Sequence, residues 1–273
     1  MSSIICSCCP HHCHIPEGKT GLCRARKNEG GNNVSANYGR ITSLALDPIE
    51  KKPLVHFYPG TMIVSCGSYG CNLACPFCQN STISMADEHH VQWQYISPEE
   101  MAAIVMKEDS IGLAFTYNEP LISFEYILDC AKLLKPQGKK IVIVTNGMID
   151  KEVMQQLLPY VDAMNIDLKG DEMFYKEELH GSYEVVRENI ALCAKACHVE
   201  VTTLVIPGKN DDPTWIEEQA EFLSSINPDI VYHLTRYFPR YKYEIPPTDK
   251  ELLLSLKDAA QKHLRYVELG NIF

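Results

Sequence analysis

Cysteine dominates the chemistry open to this chain. Among its 273 residues are 12 cysteines, with five in the first 23 residues and four between positions 66 and 78. Cys71, Cys75 and Cys78 have the spacing C-x3-C-x2-C, in a loop opened by Gly67, Tyr69 and Gly70. Three thiolates so close together can bind three irons of a 4Fe-4S cluster. The fourth iron then lacks a protein ligand and is free to chelate a small molecule through nitrogen and oxygen. The alternatives are a zinc site completed by His89 or His90, or three unliganded thiols. Cys66 falls too early for the pattern and reads as a structural cysteine at the end of a strand.

The earlier run, Cys6, Cys9, Cys13 and Cys23, has the spacing C-x2-C-x3-C-x9-C. Gly18 and Gly21 would let the chain turn back to present Cys23. Four thiolates suit structural zinc or an iron–sulfur cluster, and His11, His12 or His14 could replace one of them. Zinc would staple the segment, whereas a second cluster would relay electrons. Disulfides are the competing reading, disfavoured if the chain is cytoplasmic. Cys8 lies outside the pattern. Cys130, Cys193 and Cys197 fall in helical stretches and read as small apolar residues.

Composition limits the partners. The net charge is −10, with 45% hydrophobic and 22% charged residues. An acidic chain has no long-range attraction for phosphate backbones, so nucleic acid is not an expected partner. No stretch is long and apolar enough to span a bilayer, and the N-terminal residues lack a secretory pattern, so a cytoplasmic location and no membrane partner are expected.

Elements must hold these groups in place. Residues 1–57 are rich in Cys, His and Gly and read as a small metal-binding segment, too short to build its own core. A strand is expected within it near residues 41–46. Residues 58–273 alternate strand and helix. Short β-branched strands are expected at 62–65, 112–116, 141–145, 163–167, 199–206 and 230–234, with a brief last one at 266–268. Ser97-Pro98-Glu99-Glu100 and Thr248-Asp249-Lys250-Glu251 read as capping boxes, and Asp212-Pro213 as a helix start. The alternation implies an α/β fold with a parallel sheet. Six such units predict a partial (β/α)6 TIM-like barrel, with a flat doubly wound sheet as the alternative. Glu119, Asn146, Asp167, Lys169, Asn210 and Arg236 fall at or just past strand C-termini, the face where barrel enzymes keep their active sites.

The segment Gly70-Cys71-Asn72-Leu73-Ala74-Cys75-Pro76-Phe77-Cys78-Gln79-Asn80 resembles the cluster loop of radical S-adenosylmethionine (radical SAM) enzymes. Within them it resembles the pyruvate formate-lyase activating enzyme group, and more closely the AmmeMemoRadiSam-system radical SAM proteins. The resemblance covers essentially the whole chain, including Thr116-Tyr117-Asn118-Glu119-Pro120, Val144-Thr145-Asn146-Gly147, Asp167-Leu168-Lys169-Gly170, Leu204-Val205-Ile206-Pro207-Gly208 and His233-Leu234-Thr235-Arg236-Tyr237-Phe238-Pro239. It implies an oxidoreductase with a 4Fe-4S cluster that cleaves S-adenosylmethionine to methionine and a 5′-deoxyadenosyl radical, which takes hydrogen from a substrate. A flavodoxin or ferredoxin is the implied electron donor.

The resemblance also implies roles for single residues. Asn118 and Glu119 stand where the family carries a Gly-Gly-Glu type motif facing the methionine amino group, but both glycines are absent here. Asn146 would contact S-adenosylmethionine or substrate, or simply serve the Asn-Gly turn. Asp167 and Lys169 would bind the cofactor, Lys169 at its carboxylate or ribose, with a structural Asp–Lys ion pair as the alternative. Ile206 and Phe77 would approach the adenine. His233 and Arg236 point to substrate or carboxylate binding. Three functions compete. One is modification of a small molecule or amino-acid residue, another is activation of a glycyl-radical partner protein, and the third is a metal-stapled binding module without catalysis. No ferredoxin-like cysteines follow the cluster loop, which weakens the activase.

Overall fold

In the computed structural model, which describes residues 3–272, eight strands form one sheet in chain order. They are β1 (Ser43–Pro48), β2 (Met62–Gly67), β3 (Gly112–Phe115), β4 (Lys140–Thr145), β5 (Ala163–Asp167), β6 (His198–Val205), β7 (Val231–Arg236) and β8 (Val267–Gly270). β1 runs antiparallel to β2, and every later neighbour is parallel. Among the described residues β1 and β8 do not pair, so the sheet is a partial barrel. The strand expected near 41–46 is thus part of the main sheet, and the brief last strand is its far edge. The first helix-flanked unit gains an antiparallel neighbour that periodicity could not assign to this sheet.

Helices α1 (Pro98–Lys107), α2 (Phe124–Leu134), α3 (Lys151–Leu157), α4 (Tyr183–Cys193), α5 (Pro213–Ile226) and α6 (Lys250–Ala260) join the strands. α1 starts with the expected capping box: Ser97 accepts from the Glu100 N–H while Glu100 caps the Ser97 N–H. α5 starts at Asp212, whose side chain accepts from the Thr214 N–H. The expectation at Thr248 requires correction. Asp249 is the N-cap of α6, and Thr248 is buried with its hydroxyl donating to the Val205 carbonyl and accepting from the Tyr237 N–H. Thr248 therefore ties together the ends of β6 and β7 rather than a helix.

The chain between β1 and β2 enters the barrel. Ile49, Leu54 and Phe57 pack on Ile63, Ala114, Val142 and Ala163, one residue from each of β2 to β5. The strap is polar-bonded too: Asn165 Nδ2 donates to the Pro53 carbonyl at 2.8 Å, and Glu200 accepts from the Val55 and His56 N–H groups at 3.1 and 2.9 Å. Asn165 and Glu200 are register partners on β5 and β6. Their interior side chains thus fasten the strap across the barrel, where it floors the cavity above.

Two antiparallel hairpins lie ahead of β1, pairing Ser3–Ile5 with His14–Pro16 and Arg26–Glu29 with Asn32–Ser35. Arg26 anchors them to the barrel, its guanidinium donating to both Glu125 carboxylate oxygens of α2 at 2.7 and 2.8 Å. No helix among the described residues is long and apolar enough to cross a membrane.

Candidate active site

The C-terminal ends of the strands open on a cavity of about 710 Å3. Cys71, Cys75, Phe77, Cys78, Asn118, Glu119, Asn146, Asp167, Lys169 and His233 all line it. Residues spread over more than 160 positions of sequence therefore converge. Ile206 and Arg236 do not line it. Ile206 is fully buried with its N–H donating to Asn210 Oδ1, and the Arg236 Nε–H is held by the Thr248 carbonyl.

The cysteine loop follows β2 and depends on Gly70. Its φ is +87°, and a β-carbon there would stand 2.4 Å from the carbonyl oxygen of Cys23. Only glycine permits both the left-handed backbone and that approach. Burial pushes the Cys71 and Cys75 thiols up, Cys75 to about 11 although the Lys169 charge opposes it. A metal would have to displace those protons. Among the described residues no group of three or more His, Cys, Asp or Glu is set at ligand spacing. In both cysteine runs the sulfurs would have to swing together around a metal. The donor set nonetheless fits an iron–sulfur cluster with an open iron: three thiols on one cavity wall, no fourth cysteine beside them in the lining, and a lysine to balance charge.

Glu119 is the pivot of the next wall. Its carboxylate accepts from Thr145 Oγ1 at 2.7 Å, the Asn146 N–H at 2.8 Å and the Leu121 N–H at 3.0 Å. Burial raises its pKa to about 7 in spite of these bonds. Asn118 is turned the other way, its amide donating to the carbonyls of Tyr69 and Gly70 and its oxygen accepting from the Ser68 N–H. It braces the cysteine loop. Tyr117, beside Asn118, takes a left-handed φ of +73°. That conformation is costly for an aromatic residue. Its hydroxyl donates to Asp47 at 2.7 Å and Lys52 lies 4.6 Å from its ring centre, so surrounding contacts hold it there.

Across the cavity, Lys169 Nζ donates to Asp167 Oδ2 at 2.8 Å, the ion pair weighed as an alternative. Both side chains still line the cavity, so pairing and ligand contact are compatible. Burial works against the Lys169 charge, but Asp167 and Cys75 hold its pKa above the ordinary value. Phe77 lies near-parallel to Phe174, with ring centres 6.0 Å apart.

His233 Nε2 bonds to Glu200 Oε2 at 2.6 Å. Glu200 also meets His198 Nε2 at 2.9 Å and the two strap N–H groups, so the carboxylate is saturated with donors. Among the described residues the second ring nitrogen of His233 has no hydrogen-bond partner, and the ring lines the cavity. Sequence reading missed Glu200, Tyr117 and Asn72. A glutamate inside an apolar strand was the available signal for the first, because such a charge needs partners.

The N-terminal run is compact. Cys6, Cys8, Cys9 and Cys23 are buried and Cys13 is half-buried. A β-carbon on Gly21 would stand 3.3 Å from Cys13 Sγ, so that turn passes directly over the thiol. Cys8 lies close to the thiols of Cys6, Cys9 and Cys23, and its sulfur is 3.9 Å from the Leu121 carbonyl.

Known proteins supply an independent comparison. The family model of the Radical SAM superfamily matches residues 66–220, more than half of the chain. An uncharacterized protein of Methanocaldococcus jannaschii is 38% identical over 275 residues, spanning 99% of this chain and 82% of the relative. Another protein of that organism, named provisionally as a glycyl-radical enzyme activating enzyme, is 29% identical over 216 residues, 73% of this chain and 77% of the relative. The crystal structure of a domain of pyruvate-formate lyase-activating enzyme from Bacteroides vulgatus shares the fold, with a TM-score of 0.52 and 23% identity over 59% of this chain and 99% of that domain. The matched region holds the cysteine loop, Glu119, Asn146, Asp167, Lys169 and the four strands β3 to β6, and it spans more than half of the chain, so the chain belongs to the radical SAM superfamily.

Proposed function

We propose that the protein reductively cleaves S-adenosylmethionine and uses the resulting radical to take hydrogen from a small molecule or an amino-acid residue. One observation carries the reading: Cys71, Cys75 and Cys78 share a single cavity with Glu119, Asp167 and Lys169. The superfamily implies a 4Fe-4S cluster and S-adenosylmethionine. When bound, they supply one electron and a sulfonium whose broken carbon–sulfur bond yields methionine and a 5′-deoxyadenosyl radical. The chain orients and shields them. Cys71, Cys75 and Cys78 would hold the cluster. Glu119 would accept from an ammonium, Asn146 would contact ligand beside it, and Lys169 would meet a carboxylate with Asp167 at its side. Phe77 would offer an apolar face to the adenine. His233 is assigned to the substrate half of the cavity. Ile206 and Arg236 lie behind the wall and would act by supporting it.

The name of one relative favours a second reading, in which the hydrogen comes from a glycine of a partner protein. A glycyl-radical signal on an added partner, seen by electron paramagnetic resonance, would select it. At the N-terminal cysteines we propose a second metal, zinc or iron–sulfur. Metal analysis separates the two: about four irons with zinc identifies a staple, and about eight irons a second cluster. A flavodoxin or ferredoxin is the proposed donor.

The decisive experiment incubates anaerobically reconstituted protein with S-adenosylmethionine and dithionite and assays 5′-deoxyadenosine and methionine. Both products should form in wild type and disappear in Cys75→Ala. Cluster-loaded wild type that forms neither product, even with candidate partners, would favour the metal-stapled binding module.

A further inference from the structure

The two cysteine runs are far apart in sequence and adjacent in space. Asn72, the residue after Cys71, lies between them and is almost fully buried. Its backbone carbonyl meets His11 Nε2 at 2.7 Å, and His11 lies between Cys9 and Cys13. Its amide nitrogen donates to the Met148 carbonyl. Its side-chain oxygen accepts from Asn146 Nδ2 at 2.9 Å. That same Asn146 nitrogen stands 3.6 Å from Cys71 Sγ, while Asn146 Oδ1 accepts from the Met148 N–H at 2.8 Å.

An amide group has two N–H donors and an oxygen. For Asn146, one donor goes to Asn72, the other to the Cys71 sulfur, and the oxygen to Met148, so its orientation is fully determined. Asn72 is fixed in turn by Met148, Asn146 and the N-terminal run. His11, Asn72 and Asn146 therefore link the loop between Cys9 and Cys13 to the Cys71 sulfur. A donor aimed at a cluster thiolate stabilises the electron-rich reduced state more than the oxidised one, and such bonds are among the determinants of cluster potential.

We propose that Asn72 is a positioning residue that couples the N-terminal cysteine site to the cluster site, so that the state of the N-terminal site tunes the reduction potential of the cluster. The inference rests on Cys71, Cys75 and Cys78 holding that cluster. It holds for either metal at the N-terminal run, because the coupling passes through hydrogen bonds.

The test is a redox titration of reconstituted full-length protein, followed by electron paramagnetic resonance. The relevant cluster is the one whose signal changes when S-adenosylmethionine is added. Asn72→Ala should make its reduction about tenfold less favourable, a fall of 59 mV for one electron. His11→Ala and Cys6→Ser should shift it in the same direction, and His11→Gln, which keeps a donor for the Asn72 carbonyl, should restore it. Iron at the Cys71, Cys75 and Cys78 site should stay at the wild-type level throughout. Unchanged potentials in iron-loaded Asn72→Ala and His11→Ala would overturn the coupling while leaving the cluster assignment intact. Should Asn72→Ala fail to fold, the His11 pair decides alone. Wild type that binds no iron at Cys71, Cys75 and Cys78 would overturn both.

Discussion

At the scale of single residues, buried charge is what this fold must manage. Glu200 is completely enclosed. Burial pushes its pKa upward, yet the hydrogen bonds from His198 and His233 outweigh burial and draw it from 4.5 down to about 2. A carboxyl with a depressed folded pKa contributes stability above its unfolded pKa, and the contribution fades as pH falls through the folded value. Urea unfolding of the metal-free protein should therefore show a loss of stability between about pH 4.5 and pH 2 that Glu200→Gln lacks. At neutral pH the same variant should be less stable by about 3 kcal/mol, because it uncouples an enclosed pair. Tyr117 offers a second test. Tyr117→Phe removes a donor from Asp47 and should cost about 1 kcal/mol, read from the denaturant midpoint.

At the scale of elements, the strap at 49–57 determines the shape of the cavity. It carries the fully buried Ile49 and Leu54 into a layer contributed by four strands, and it is fastened by Asn165 and Glu200. Leu54→Ala should destabilise the protein by about 2–5 kcal/mol through the cavity left behind. The same change should speed proteolytic cleavage within 49–57, detected by mass spectrometry of the fragments, since it loosens the floor before it unfolds the sheet. The strap is hard to see in sequence. Lys51, Lys52 and Pro53 carry no apolar pattern, yet Lys52 is buried beside Asp47, which it meets at 2.9 Å. The pairing is what makes burial of that lysine affordable, and no local pattern announces it.

At the scale of the whole molecule, a net charge of −10 surrounds the site proposed to take electrons and a cationic sulfonium. Duplex DNA should show no binding by fluorescence anisotropy at micromolar protein and physiological salt; saturable binding would reveal a basic groove that overrides the net charge. Packing joins the N-terminal hairpins to this machinery. Arg26 clamps them to α2, and Gly70 lets Cys23 press against the start of the cysteine loop. The N-terminal cysteine run and the Cys71–Cys78 loop are therefore packed against each other.

By itself the sequence determined the superfamily and the architecture. Thiol spacing is local, so Cys71, Cys75 and Cys78 could be read as a cluster loop without coordinates. The alternation of short β-branched strands with capped helices likewise implied a parallel α/β barrel, because each period is set by the backbone's own geometry. Tertiary structure alone decided the rest. It placed His233 against Glu200, 33 residues away, and His11 against Asn72, 61 residues away. It moved Arg236 and Ile206 behind the wall, and it set Tyr117 in a glycine's conformation. These outcomes depend on which strand lies beside which and on how far a side chain reaches across the gap. Such non-local distances exist only once the sheet has closed around its strap.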